Sequence, residues 1–328
     1  MRAAIYTKYG SPSNLTLTDV RKPTPGDNEV LVKVSAVSIN DWDWQLLMGI
    51  PLANRLSNGI ERPKKRQILG CDVAGVIEAT GKNAARFVPG DPVYGDLCMS
   101  GFGGFAEYVS APESSLSLKP KAMTFEQAAS IPQASMLALQ GLGVKGPLQR
   151  GQKLLINGAG GGVGTFGVQM AKMKGVDVTG VDHTTKLDMM RSVGFDHVVD
   201  YLKEDFANNG KQYDYILDTK TNRPLRCYLR ALRPHGVYAT IGGETLRLMQ
   251  VLFAQRIFSK LSNKAIRLVI LKPNKDLSHM NDLFNSGKIR PVIDKTFQLE
   301  ELPDAMLYFG LGKHKGKVVI QVDSSKKT

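Results

Sequence analysis

A chain of 328 residues, 42% hydrophobic and 22% charged with a formal net charge of +13, is ordinary in composition for a globular protein and long enough for two domains with full cores. No apolar run approaches the length of a membrane span, and the opening MRAAIYTKYG lacks the apolar stretch of a secretory leader. Three scattered cysteines, Cys71, Cys98 and Cys227, make neither a C-x-x-C pair nor a disulfide framework, so a reducing, cytoplasmic setting is expected. Basic residues gather at 62–66, 247–275 and 313–317. Aromatics are not interleaved with them and no nucleic-acid-binding motif appears, so they read as solvated faces beside a site that attracts phosphates.

In chain order, apolar and polar residues alternate over 14–19 and 29–39, and short apolar runs follow at 73–78, 92–94 and 105–109. Turn signals such as TPGDN and VPGD separate them, which predicts a β-rich first domain of short, mainly antiparallel strands. A helix is expected over 124–134. Residues 153–156 then read as a strand, and INGAGGGVG (156–164) packs five glycines into nine positions. Beyond it Val163, Phe166, Met170 and Met173 recur at helical spacing. Gly158, Gly161 and Gly164 follow G-x-x-G-x-x-G, and the commoner G-x-G-x-x-G fits only with Ala159 in its first glycine position. Such a turn lets a ligand approach bare backbone and aims the N–H groups of the first helical turn at an anion. Taken alone, it also allows the lesser reading of a flexible linker or a tight turn without a ligand.

The residues that follow supply the context. A strand over 177–181 ends on Asp182, eighteen residues past Gly164, where a dinucleotide fold grips the adenine ribose. Helix 185–193, strands 197–200 and 214–218, helix 224–232 and strand 236–241 continue the alternation. That pattern predicts an α/β fold with a doubly wound parallel sheet. A long apolar and basic helix (245–260), a strand (265–271), a helix (276–285) and a strand-helix-strand tail complete the chain. The tail is expected to rejoin the first domain, giving 1–123, 124–271 and a return segment 272–328.

The chain resembles the medium-chain dehydrogenase/reductase superfamily, in its zinc-free quinone-oxidoreductase-like branch. The resemblance runs over essentially the whole chain. It rests on MRAAIYTKYG, EVLVKVSAVSINDWDW, LGCDVAGVIEATG, FVPGDPVYG, GGFAEYV, GGVGTFGVQMAK, HVVDY and HKGKVVI. It implies a GroES-like first domain, a Rossmann second domain, an active site in the cleft between them, and hydride transfer from a reduced nicotinamide to a quinone or enone. Zinc-dependent alcohol dehydrogenases share this fold. The resemblance puts their metal ligands at the position of Asn40, at Gly70-Cys71-Asp72 in place of Gly-His-Glu, and in a linking segment that lacks cysteine here. Cys71 and Asp72 fall short of the three or four ligands zinc takes, so no metal is expected. Without a Lewis acid, a conjugated acceptor is favoured, because its charge spreads to a remote oxygen.

By resemblance, Asn40 and Asp43 in INDWD help to place nicotinamide and substrate, and the Asn40 amide is a candidate donor to the developing oxyanion. Read from the residues alone, Asn40 ends a strand and Asp43 caps the next helix. Leu47 stands where the branch often carries arginine. Tyr94 is a second candidate donor or a packed aromatic, and Trp42 and Trp44 line a flat pocket or pack in the core. For the cofactor, Gly158 makes the turn, and Gly161, Gly162, Val163 and Gly164 offer backbone N–H groups to the pyrophosphate. Asp182 meets the ribose, with Thr184, Lys186 and Tyr201 close by. Asp218, Thr219, Gly242 and Gly243 end the fourth and fifth strands, where open α/β sheets bind ligands. Lys220-Thr221-Asn222-Arg223 stands where the branch often continues with Val-Gly-Gly.

The cofactor is expected to be NAD(P)H. The branch commonly uses NADPH, whereas Asp182 favours NADH; Lys186 and Tyr201 pull the other way, unless Lys186 is simply a solvated residue at a helix start. NADH with NADPH usable is the resulting expectation. The expected partners are a small quinone or enone and a second copy of the chain, paired through an exposed edge at 265–271. An alcohol dehydrogenase of the same fold and a non-enzymatic dinucleotide-binding accessory protein are the alternative readings.

Overall fold

The computed structural model describes residues 1–261 and 263–322, the side chains of 256–261 excepted. The chain forms two compact units. One holds 1–133, 273–287 and 293–328; the other holds 134–272 and 288–292. The end of the expected return segment, 323–328, lies outside the described residues.

The first unit begins with β1 (Arg2–Tyr6), β2 (Leu15–Asp19), β3 (Glu29–Ser38), α1 (Asp41–Met48), α2 (Leu52–Asn58), β4 (Asp72–Thr80), β5 (Pro92–Asp96), β6 (Tyr108–Pro112), β7 (Ser117–Leu118) and α3 (Phe125–Ala129). The chain passes to the second unit within α4 (Pro132–Leu142). That unit contains β8 (Lys153–Asn157), α5 (Gly162–Lys172), β9 (Asp177–Asp182), α6 (Leu187–Val193), β10 (His197–Asp200), β11 (Tyr213–Asp218), α7 (Leu225–Ala231), β12 (Leu232–Thr240), α8 (Thr245–Leu261) and β13 (Ala265–Leu268). The tail supplies α9 (Leu277–Asn285), β14 (Ile293–Gln298), α10 (Leu302–Gly310) and β15 (Lys317–Gln321) to the first unit.

In the first unit β1 and β2 pair antiparallel, and the larger sheet runs β14-β15-β3-β4-β5-β7 with β6 also paired to β3. Only β14 and β15 are parallel in it. The tail rejoins this sheet because Val319 and Ile320 of β15 face Ser38 and Val37 of β3. In the second unit all five strand pairs are parallel, in the order β10-β9-β8-β11-β12-β13. The order reverses direction between β8 and β11, the switch point of a doubly wound sheet. Both faces of such a sheet are covered, so the central stretches of β8 and β11, 154–156 and 215–217, are apolar without alternation, and Leu154, Leu155, Ile156, Ile216 and Leu217 are completely buried.

Four expectations change. The helix expected over 124–134 is two helices, because Pro132 supplies no N–H and disfavours helical backbone at Ile131. Its first piece, α3, is started by a capping box between Thr124 and Gln127 and packs on β3, β4 and β5. The unit boundary therefore falls after Gln133 rather than at 124. The strand expected at 105–109 starts at Tyr108, opposite Lys33, because Phe105 exchanges its backbone bonds with Leu69 and Ala4 instead. Lys317, counted in a solvated basic run, is 3% exposed.

Candidate functional site

In the second unit the chain leaves β8 into a turn that only glycine can make. Gly158 has φ +80°, and a Cβ there would lie 2.1 Å from the Thr219 hydroxyl. The N–H groups of Gly158 and Ala159 donate to Val181 O, which lashes the turn to β9. Gly161 then caps α5. A Cβ on Gly164 would stand 2.2 Å from Ala159 O, so the helix presses directly on the turn. The N–H groups of Gly162, Val163 and Gly164 belong to the first helical turn and have no intrahelical acceptor. A Cβ on Gly161 would meet only Gly158 O, at 3.5 Å, so the space above the loop is open to a ligand.

Asp182 closes the other side of this loop. It is buried; Oδ2 accepts from Gly160 N at 2.8 Å and Oδ1 accepts from His183 N at 2.8 Å. The Lys186 ammonium lies 3.5 Å from Oδ1, and Lys186 is itself buried. The lysine at the helix start is thus an ion-pair partner of Asp182 and not a solvated residue. Thr184 donates its hydroxyl to Asp200, whose carboxyl is held below the usual range mainly by that bond. Tyr201 stays half exposed, its ring edge-on to His183.

Asp218 turns out to be a clasp. It is fully buried; Oδ1 accepts from Asn157 Nδ2 and from the N–H groups of Lys220 and Thr221, and Oδ2 accepts from the Tyr238 hydroxyl. It joins the ends of β8, β11 and β12. Thr219 donates its hydroxyl to Asn157 O, and Gly242 O accepts from Thr221 and Thr240. Gly243, at φ +134°, lets the chain pass Lys220 O where a Cβ would clash at 2.1 Å.

The first unit carries a buried polar pocket at the end of β3. Asn40 precedes α1; its N–H donates to Asp43 Oδ2 at 2.9 Å, and Asp43 Oδ1 accepts from Gly70 N at 2.8 Å. Both Asp43 oxygens therefore hold backbone, the capping role that the residues alone suggested. The Asn40 amide is committed as well: Nδ2 donates to Asp72 Oδ2 at 3.0 Å and Oδ1 accepts from Lys317 Nζ at 2.6 Å. These bonds orient the Asn40 amide among the buried polar groups of the first unit. Gln133 N donates to Asp72 from the start of α4. Burial pushes Asp43 up to about 7. Burial and then Asp96 also push Asp72 up, while Lys317, Asn40 and Gln133 pull it down. Burial and the three carboxylates hold the Cys71 thiol well above its ordinary range.

Tyr94 is the second expected donor. Its hydroxyl donates to Asn281 of α9, and burial raises its pKa. Trp44 is half-buried, its ring against Gly310 of α10. Trp42 is edge-on to Phe102, ring centroids 5.7 Å apart. Sequence reading missed Lys317, Asp96 and Gln133. The one available signal was a lysine opening the apolar strand KVVIQ.

Residues 26–121 match the family described as alcohol dehydrogenase GroES-like domain, and residues 193–320 match zinc-binding dehydrogenase. A chloroplastic quinone-oxidoreductase of Triphysaria versicolor is 30% identical, the match covering 98% of each chain. A chloroplastic NADPH-dependent alkenal/one oxidoreductase of Arabidopsis thaliana is 30% identical over 98% of this chain and 79% of its own. The solved structure of a quinone oxidoreductase from Coxiella burnetii superimposes with a TM-score of 0.85 at 27% identity, covering 98% of this chain and 99% of its own.

Proposed function

The chain belongs to the medium-chain dehydrogenase/reductase superfamily, in its quinone-oxidoreductase-like branch, and from that membership we propose that it reduces quinones or enones with NAD(P)H. The observation that carries the reading is the glycine turn at the switch point of the parallel sheet, open above Gly161 and bordered by Asp182. A reduced nicotinamide, when bound, supplies the hydride. The chain's own part is to bind and orient. The N–H groups of Gly162, Val163 and Gly164 hold phosphate at a helix N-terminus. Asp182 positions the ribose, with Thr184 and Tyr201 flanking it. Asp218, Thr219, Gly242 and Gly243 fix the strand ends that frame the cofactor. In the first unit Asp43 and Asn40 fix the start of α1.

NADH, with NADPH also accepted, is the finer reading. A carboxylate has about four lone-pair sites. Asp182 uses part of that capacity on Gly160, His183 and Lys186 and keeps part for ribose hydroxyls. Lys186 is spent inside this pair, which leaves a 2′-phosphate less positive charge than an exposed lysine would give. Three thiols outside any disulfide support a reducing compartment such as the cytoplasm. No described helix is long and apolar enough to cross a membrane. A homodimer through the β13 edge completes the reading.

The test is consumption of NADH and NADPH with a benzoquinone, a linear enone and a simple ketone. Turnover of the first two and not the third is expected. Turnover of the ketone alone points to an alcohol dehydrogenase, the name carried by another structural neighbour at 27% identity and TM-score 0.81. No turnover, with cofactor still bound, points to a dinucleotide-binding accessory protein.

A further inference from the structure

The family match to zinc-binding dehydrogenases raises the question of whether this pocket fits zinc. Cys71, Asp72 and Asp96 each bring one donor atom within 4.8 Å of the others, and all three are buried. Their atoms are nonetheless taken. Asp72 accepts from Gln133 N at 3.1 and 3.3 Å, from Asn40 Nδ2 and from the Ser38 hydroxyl. Asp96 accepts from Cys98 N at 2.8 Å and from Gln133 Nε2 at 3.5 Å. A cation is already present as well. Lys317 opens β15, beside the end of β3, and sends its side chain inward. Its ammonium donates to Asn40 Oδ1 at 2.6 Å and Ile39 O at 3.2 Å, and lies 3.7 Å from Asp72 Oδ2. An ammonium has three protons and no lone pair, and three acceptors surround this one. Zinc does not fit a donor set whose atoms are hydrogen-bonded and whose Asp72 already has this ammonium as its counter-charge.

We propose that Lys317 is the resident cation of the pocket: its ammonium stands in for a metal ion as counter-charge to Asp72, and it fixes the orientation of the Asn40 amide. Two consequences follow from the geometry. With Lys317 in place the pocket repels a divalent ion. Without it, Cys71, Asp72 and Asp96 are an uncompensated set of one thiolate and two carboxylates, and a zinc or cobalt ion that displaces the weaker hydrogen bonds from Gln133, Asn40 and Ser38 restores the missing positive charge.

The experiment is equilibrium dialysis of the full chain and of Lys317→Met against cobalt(II), read by elemental analysis and by absorption. The unmodified chain is expected to hold less than about a tenth of an equivalent, and Lys317→Met about one, the stoichiometry of a single site. The variant should show a near-ultraviolet thiolate-to-cobalt band that Cys71→Ser in the same background abolishes. A metal held stoichiometrically by the unmodified chain through Cys71 overturns the proposal. So does a folded Lys317→Met that takes up no more metal than its parent. Should Lys317→Met fail to fold, the double variant Lys317→Met/Asp72→Asn decides. Recovery of a folded chain supports a charge pair, and continued failure to fold overturns it.

Discussion

Gly164 and Gly161 stand three residues apart in one loop and answer to different demands. Gly164 has no room for a side chain, since a Cβ would press on Ala159 O. Gly161 has the room and an ordinary φ of −88°, so what it leaves open is the approach of a ligand. Gly164→Ala is expected to cost ~1–3 kcal/mol of stability through overpacking. Gly161→Ala should change stability by less than ~1 kcal/mol yet weaken NADH binding at least about tenfold, because glycine there lets backbone reach the pyrophosphate. Thermal melts and cofactor fluorescence titrations separate the two. Unchanged binding in Gly161→Ala sinks the assignment. At Asp182 the expected effect is on choice. Asp182→Ser removes the carboxylate that a 2′-phosphate would have to face, so kcat/KM for NADPH relative to NADH should rise at least about tenfold, on the order of 1.4 kcal/mol. A ratio that does not move places the ribose elsewhere.

Among the elements, the switch point is held by one side chain. Asp218 accepts from groups on β8, β12 and the loop after β11, and it is wholly buried. Removing it strands several donors at once, each worth ~1–3 kcal/mol when left unsatisfied. Asp218→Ala is therefore expected to lose about 3 kcal/mol or more in urea unfolding. A loss below ~1 kcal/mol would show that water or relaxation replaces the clasp. The break between α3 and α4 shows the opposite case, in which one residue type overrides a continuous pattern. One helix is expected over 124–134, but Pro132 divides it, and the first piece packs with the β-rich unit.

At the scale of the whole molecule, the β13 edge is the surface for the proposed self-association. β13 is the edge of the parallel sheet, and α8 packs beside it with Leu246, Met249, Leu252 and Phe253 exposed. Gln255 Oε1 already accepts from Leu268 N, so the edge is part-covered, and the exposed apolar residues of α8 are the surface that the proposed dimer would bury. A dimer mass by light scattering at micromolar concentration is expected, and Met249→Asp/Phe253→Asp should yield a folded monomer. A parent chain that is monomeric, or a dimer that survives both charges, rejects this interface. Val269 is no place for such a test, because its N–H faces inward to Thr240 O.

The sequence alone determined the two-unit plan, the parallel sheet and the glycine turn at its switch point. These rest on local periodicity, on glycine at positions that bar a side chain, and on Asp182 at the end of a strand, all written within short stretches of chain. Tertiary structure alone decided what the polar residues do. Asn40, Asp72, Asp96, Gln133 and Lys317 come from five separate stretches, and only the docking of β15 beside β3 brings the last of them among the rest. A lysine in a basic run reads as solvated until burial is known, and a carboxylate reads as available until its acceptor sites are counted. Whether a charge binds a ligand or binds its own fold depends on its neighbours in space.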